Sequence, residues 1–128
     1  MGVSMEIEAH GCSFEYAKIL KELGVKQISV FRWINENSTS PNFHFDYYQN
    51  MAMGICAFTS AELGQLLPMF IEEEYFFNSH RCARNGWWVS YTSSHNESIH
   101  TYWDTSEANA RAKLLIGLIE KSIIKVPT

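Results

Sequence analysis

The pattern of hydrophobic and polar positions predicts a helix near the start of the chain, followed by a strand. Over residues 14–23 the apolar side chains recur at helical spacing, while charged side chains fall between them. Ser13 precedes this segment as a predicted N-cap, and Gly24 follows it where a helix favours a left-handed residue. A strand is expected over residues 27–34, which are rich in β-branched and aromatic side chains.

Two more strands are predicted before the middle of the chain. A polar segment at residues 35–42 is typical of a loop. Residues 43–47 then alternate between aromatic and polar side chains, which indicates a half-buried strand that pairs with the first one. A short buried strand is expected over residues 54–58.

The strongest local signal is a capping box, in which Thr59 is the N-cap and Glu62 is the third helical residue. Phe58 and Leu63 occupy the positions of a hydrophobic staple around it. The pattern therefore predicts a short middle helix, which Pro68 ends.

A hairpin is predicted in the second half of the chain. Its first strand, over residues 70–77, carries the acidic run Glu72–Glu74, which suits an exposed or edge position. A loop over residues 78–84 leads into Asn85-Gly86, a pair typical of hairpin turns. The return strand is expected over residues 87–91.

The chain is expected to close with a strand over residues 99–103 and a long amphipathic helix. Asp104 or Thr105 is the predicted N-cap, and Glu107 in the first turn opposes the helix dipole favourably. Gly117 falls on the predicted polar face. The predicted apolar face consists of Ala108, Ala112, Leu115, Ile116, Ile119 and Ile123.

This order of elements is typical of an α+β fold, with helices at the ends and hairpins between them. We expect a single domain over residues 1–128: an antiparallel sheet of about five strands, with an N-terminal helix, a short middle helix and a C-terminal helix packed on one face. The length of 128 residues and the hydrophobic content of 46% support one core. They exclude a disordered chain, a collagen-like repeat and a disulfide scaffold.

Charge and targeting narrow the class of partner. A net charge of −4 makes nucleic acid an unfavourable partner. The chain shows no secretion signal and no apolar run near the ~20 residues that span a bilayer, so we expect a cytoplasmic protein without membrane contact. Its three cysteines fit reduced thiols, and no cofactor is predicted.

Three blocks of the sequence support a family resemblance. They are residues 17–27 with Phe31 and Trp33 after them, residues 57–68, and residues 107–120 with Trp88 and Tyr91 before them. With these blocks the chain resembles a group of small phage and prophage proteins, common in Bacteroidota genomes, without an assigned activity. The resemblance implies a mobile-element context, in which accessory proteins of this size often bind and disarm a host factor. The loops at residues 35–50 and 78–86 depart from the pattern, so we expect the specific function there.

Candidate catalytic and metal sites are weak in the sequence. None of the pairs His44/Asp46, His80/Cys82 and His95/His100 has the spacing of a structural zinc site, and no metal is predicted. Cys12 precedes a helix N-terminus with His10 nearby, an arrangement that can lower a thiol pKa, although a packing role is the alternative. The carboxylates of Glu72–Glu74 are more typical of a solvated edge than of acid–base catalysis. No catalytic residue is predicted.

The candidate binding surface is aromatic and basic, because arginine and tryptophan are enriched at binding hot spots. Since Trp87 and Trp88 cannot share one face of a strand, one is expected to pack under a helix and the other to face solvent or a partner. The candidate residues are His80, Arg81, Arg84, Trp87, Trp88, Arg32, Trp33 and Trp103.

Three functions follow as hypotheses. The first is a non-enzymatic phage accessory protein that binds a host protein, for example to inhibit a defence complex such as a CRISPR effector. The second is a protein that sequesters a nucleotide-like ligand, with arginine on phosphate and tryptophan stacked on the base. The third is a small hydrolase. A homodimer is expected if an edge strand or an aromatic patch is exposed.

Overall fold

A computed structural model describes residues 11–34, 44–47, 54–82 and 85–127. Within these residues the chain forms three helices and seven strands, which confirms the α+β class. The helices are α1 (Phe14–Glu22), α2 (Ser60–Leu66) and α3 (Glu107–Glu120). The strands are β1 (Phe31–Ile34), β2 (His44–Tyr47), β3 (Ile55–Cys56), β4 (Phe70–Ile71), β5 (Tyr75–Arg81), β6 (Trp87–Thr92) and β7 (Ser98–Asp104).

The described strands form two antiparallel sheets, so the prediction of one sheet of about five strands is wrong in this detail. The first sheet has the order β2-β1-β3, and the second has the order β4-β5-β6-β7. The predicted pairing between the first two strands is confirmed, with Phe31 opposite Tyr47. The polar segment predicted as a loop over residues 35–42 lies outside the described residues.

The first strand begins later than its sequence predicts. Residues 27–30 are not part of β1, because two of them bond to a helix instead of to a strand. The hydroxyl of Ser29 donates to Glu62 Oε1 at 2.6 Å, and the backbone amide of Val30 donates to Glu62 Oε2 at 3.1 Å. The carboxylate of Glu62 therefore fixes the approach to β1.

The acidic run forms a turn, and the predicted continuous strand over residues 70–77 is wrong. Glu72 and Glu73 have left-handed φ angles of 52° and 63°, and the chain reverses between β4 and β5. An unbroken strand would have pointed successive carboxylates to opposite faces of the sheet. The turn keeps all three glutamates exposed.

The predicted loop over residues 78–84 is also shorter than expected, because β5 continues to Arg81. Arg81 pairs with Trp87 on β6, and the backbone amide of Cys82 donates to the carbonyl oxygen of Gly86 at 2.8 Å. The hairpin predicted from Asn85-Gly86 is therefore confirmed, with a shorter connection.

The local helix signals are confirmed at α2 and at the end of α1. Ser13 lies at the N-cap position of α1, but its hydroxyl makes no capping hydrogen bond there. The amide of Glu62 donates to Thr59 Oγ1 at 3.2 Å, and the amide of Thr59 donates to Glu62 Oε1 at 2.9 Å, which completes the capping box. Gly24 follows α1 with a φ of 95°. The Gly24 amide donates to the Lys21 carbonyl at 3.0 Å and the next amide donates to the carbonyl of Leu20 at 3.1 Å, which is a Schellman ending.

The helix α3 begins one residue later than predicted and is buried on more sides. Its N-cap is Ser106, whose hydroxyl accepts a hydrogen bond from the amide of Asn109 at 3.1 Å, whereas Asp104 still belongs to β7. The helix lies against β6 and β7 on one side and against α1 and α2 on the other. Residues 114–118 are therefore all buried, including Gly117, which was expected on a polar face.

Candidate binding face

The four-stranded sheet has one covered face and one open face. Val89 and Tyr91 on β6 point to the covered face, where they are 0% exposed against the core that includes α3. The strand register places the alternate residues together on the other side, on which no described helix packs. We call this side the open face, and it contains Phe70, Phe76, Asn78, His80, Trp88, Ser90, Thr92 and Trp103.

Four large aromatic side chains of the open face are exposed. Phe70 is 57% exposed and lies opposite Phe76, which is 42% exposed. Trp88 is 37% exposed and lies opposite Trp103, which is 39% exposed. With 150–250 Å² for each aromatic side chain, their exposed area is roughly 350 Å². This area is divided between two apolar patches, one at each end of the face, and exposed apolar patches on a sheet often mark an interaction site.

The middle of the open face is small and polar. Ser90 is 3% exposed and Thr92 is 8% exposed. Ser90 Oγ lies 3.3 Å from Thr92 Oγ1, which lies 3.2 Å from Ser98 Oγ. Because these hydroxyls are already shielded from solvent and bond to one another, a partner does not need to supply them with hydrogen bonds. The open face therefore carries bulky side chains at two diagonal corners, on β4 and β5 at one end and on β6 and β7 at the other, with small polar side chains between them.

Charges of opposite sign lie at the two ends of the open face. The exposed carboxylates of Glu72–Glu74 lie beside the phenylalanine pair. Exposed Glu97, in the connection between β6 and β7, lies at this same end of the sheet. Exposed His80 and Arg81 lie at the opposite end, where β5 finishes. A polar or charged rim around the apolar contacts is a usual feature of a protein interface.

Two of the predicted tryptophans separate as expected. Trp87 is half-buried and packs against the core, while Trp88 lies on the open face in register with His80. Arg81 lies opposite Trp87, so the register places it on the covered side of the sheet. Because it is the last residue of β5, its side chain is nevertheless exposed at the rim. Arg84 lies outside the described residues.

Arg32 and Trp33 lie elsewhere, so the expectation that they extend this surface is not met. Both belong to the other sheet, and Arg32 is 1% exposed, with its Nη2 donating to the carbonyl of Gln27 at 3.2 Å. The indole of Trp33 donates to the carbonyl of Cys12 at 3.0 Å. Its ring meets Phe14 edge-on at 6.3 Å between centroids. Trp33 therefore holds the start of α1 against β1, while Arg32 bonds to the segment that leads into β1.

Phe70 and Phe76 were missed as candidates by sequence reasoning. In an unbroken strand over residues 70–77 they would lie far apart along the chain direction. Recognition of a turn at Glu72–Glu74 would have placed them opposite each other. No glycine, asparagine or proline marks that turn, so the usual signal was missing.

The buried thiols are unsuited to nucleophilic chemistry. Burial raises the pKa of the Cys12 thiol to about 12 and the pKa of the Cys56 thiol to about 11. The predicted possibility of a lowered Cys12 pKa is therefore wrong, because loss of water outweighs the position before a helix. His10, its suggested partner, lies outside the described residues.

Two cavities lie away from the open face. One, of about 250 Å³, is lined by residues that include Lys26, Ile28 and Glu62. The other, of about 410 Å³, is lined by residues that include Pro68, Met69 and Phe77. Neither is lined by arginine or tryptophan, so neither combines the phosphate-binding and base-stacking groups expected of a nucleotide site.

The part of the chain that the structure describes holds no group of three or more His, Cys, Asp or Glu residues placed to bind a metal ion. Among the same residues, no helix has the length and apolar character needed to cross a membrane. Comparison with protein-family models, with curated proteins and with solved structures found no match to this chain.

Proposed function

We propose that the chain is a non-catalytic protein-binding module that docks a partner protein on the open face. The observation that carries this proposal is the exposure of four aromatic side chains on one side of a sheet whose other side is covered. The resemblance to phage and prophage proteins favours a host protein in the cytoplasm as the partner. A component of a defence complex, such as a CRISPR effector, would be one example.

The residue types support a protein partner. Tryptophan is among the residues most enriched at binding hot spots, and truncation of such residues often costs more than 2 kcal/mol of binding free energy. Trp88 and Trp103 form an aromatic pair at one end of the open face, and His80 lies next to Trp88. Nucleotide binding has less support, because the aromatic side chains lie on an open sheet surface and do not line either of the two cavities described above.

Affinity capture from host lysate tests the proposal. The bait is the full chain, and the test variant is Trp88→Ala/Trp103→Ala. The matched control is Ile123→Ala, because Ile123 is 38% exposed but follows α3, outside the four-stranded sheet. Since both tryptophans are partly exposed, we expect the double variant to keep its circular dichroism spectrum.

A specific host protein should be retained by the wild type and by Ile123→Ala, and lost with the double variant. Hydrogen exchange on the purified complex should then show protection in β5, β6 and β7. Retention of the same protein by Trp88→Ala/Trp103→Ala at unchanged affinity would overturn the proposal.

A further inference from the structure

We infer that a second copy of the chain covers the open face in a two-fold dimer, with the two β5 strands running antiparallel across the interface. This inference rests on the proposed function in one respect, that the open face is a docking surface. It adds the identity of one protein that binds the open face, namely a second copy of the chain, which is available wherever the protein is made.

The geometry of β5 supports this arrangement. The strand runs from Tyr75 to Arg81, and Asn78 is its middle residue. It spans about 20 Å at ~3.3 Å per residue. A two-fold axis that lies in the face, perpendicular to β5 and near Asn78, reverses β5 but keeps the order of the strands across the face. It therefore places Trp88 and Trp103 of one copy over the small side chains of Thr92 and Ser98 of the other, and Phe76 of one copy over His80 of the other. The symmetry repeats each of these contacts, so one rotation covers Phe76, Trp88 and Trp103 of both copies, while Phe70 lies at the β4 edge of the contact.

Charge selects this rotation over the alternative. It places Glu72–Glu74 of one copy over Arg81 of the other. Glu97 lies over the end of β7, where the carboxylate of Asp104 is already paired with Lys113 at 3.0 Å. A two-fold axis parallel to β5 would instead place the acidic ends of the two copies against each other. Like charges brought together oppose association. The open face itself carries no carboxylate, so no acidic side chain is buried by the contact.

The centre of the open face is also compatible with its own copy. Asn78 lies beside the axis, and a side-chain amide both donates and accepts, so two asparagines can pair across the axis. Ser90 and Thr92 already bond to each other. The polar middle therefore needs no further hydrogen-bond partner, while the tryptophans of each copy meet small side chains of the other.

The available area sets the strength of the dimer. Phe76, Trp88 and Trp103 expose roughly 240 Å² in each copy, and a standard interface buries about 800 Å² from each partner. Polar positions of the face and its rim make up part of the difference. We therefore expect a weak dimer with a dissociation constant of about 1–100 μM, which a tighter partner protein would displace.

Sedimentation equilibrium of the full chain, from about 1 to 500 μM and at about 50 mM salt so that charge is weakly screened, tests the inference. Each of two variants reverses the charge at one end of the open face. They are Glu72→Lys/Glu73→Lys/Glu74→Lys at the acidic end and Arg81→Glu at the basic end. Lysine and glutamate are both unbranched, so the left-handed turn keeps a similar backbone cost. The charge control is Glu22→Lys/Glu120→Lys, because both residues are exposed on helices of the covered side.

The wild type and the control should dimerise with similar affinity. Each reversed variant should weaken self-association by about tenfold or more, because like charges then meet at both ends. An equimolar mixture of the two reversed variants should form a heterodimer, since opposite charges meet again at both ends. The chain that carries all four substitutions should recover its own dimer.

Several results would overturn the inference. One is a wild type that stays monomeric at about 500 μM, well above the expected dissociation constant. Another is a dimer that neither the charge reversals nor Trp88→Ala/Trp103→Ala weakens. A third is a monomer whose tryptophan fluorescence responds to a single-stranded oligonucleotide. If the protein is monomeric but still captures a host protein through the open face, the dimer is refuted and the proposed function stands. If the protein forms the dimer but captures no host protein, the proposed function is refuted and the dimer stands.

Discussion

Replacing Glu62 by alanine should destabilise the fold more than its partly exposed position suggests. The carboxylate accepts three hydrogen bonds from two parts of the chain: the amide of Thr59 at 2.9 Å, the hydroxyl of Ser29 at 2.6 Å and the amide of Val30 at 3.1 Å. The first belongs to the start of α2, and the other two belong to the approach to β1. Glu62→Ala removes all three at once.

The expected loss can be worked from these contacts. The capping interaction contributes about 1 kcal/mol to the free energy of unfolding. Hydrogen bonds to a charged group contribute about 1.5–3 kcal/mol, but Val30 is exposed and Ser29 keeps a second acceptor, the carbonyl of Ala57 at 3.4 Å. We therefore expect a total loss of about 2–3 kcal/mol. For a chain of this length that lowers the Tm by roughly 8–12 °C.

Urea unfolding followed by tryptophan fluorescence measures this loss. The variant Glu62→Gln keeps one acceptor oxygen and the residue type of a capping box, so it should lose less than Glu62→Ala. The control Glu22→Ala removes an exposed carboxylate from the end of α1 and should stay within about 0.5 kcal/mol of the wild type. A loss below about 0.5 kcal/mol for Glu62→Ala, at an unchanged m-value, would refute the reasoning.

Three further predictions concern the backbone, the thiols and an ion pair. Gly54→Ala should lower the free energy of unfolding in urea by about 2–4 kcal/mol. The reason is that Gly54 has a φ of 81° and an added Cβ would lie 2.5 Å from a backbone oxygen of β1. An unchanged free energy of unfolding would contradict this prediction. Burial raises the pKa of the Cys12 thiol to about 12 and that of the Cys56 thiol to about 11. Both thiols should therefore resist a thiol reagent at about pH 8 until urea unfolds the chain. Rapid labelling of either thiol in the native protein would disprove this prediction. Burial acts to raise the pKa of Asp104, but the hydrogen bond and charge of Lys113, 3.0 Å away, outweigh it and lower that pKa overall. The ion pair thus stabilises the fold fully above the ordinary carboxyl pKa of about 4, and this stabilisation is lost as the pH falls through the lowered pKa of Asp104. In chemical unfolding, Lys113→Met should therefore lose more stability at about pH 7 than at about pH 2. An equal loss at the two pH values would contradict this prediction.

The features that the sequence predicted well are those that a few neighbouring residues determine. The capping box at Thr59 and Glu62, and the left-handed Gly24 after α1, depend on local geometry alone. The separation of Trp87 and Trp88 onto opposite faces follows from alternation within one strand, whereas which of the two is exposed depends on the helices packed against the sheet.

The features that it predicted poorly depend on contacts between distant parts of the chain. The burial of Gly117 requires helices and a sheet on both sides of α3, which its own periodicity does not reveal. The position of Arg32 depends on a second sheet. The phenylalanine pair of the open face required a left-handed turn at Glu72 and Glu73, and glutamate is not a residue type that signals one.

The edge strand β7 has a β-bulge, and this irregularity bears on how copies can grow into larger assemblies. The register between β6 and β7 shifts between Val89 and Tyr91, and His100 has a left-handed φ of 52°. The ammonium of Lys113 also binds the carbonyl oxygen of Trp103 at 2.7 Å. A bulged, partly occupied edge is a poor template for an added strand. Edge-to-edge addition would leave a new edge after every step and lead to fibres, whereas a contact between two open faces uses up both surfaces and stops at two copies.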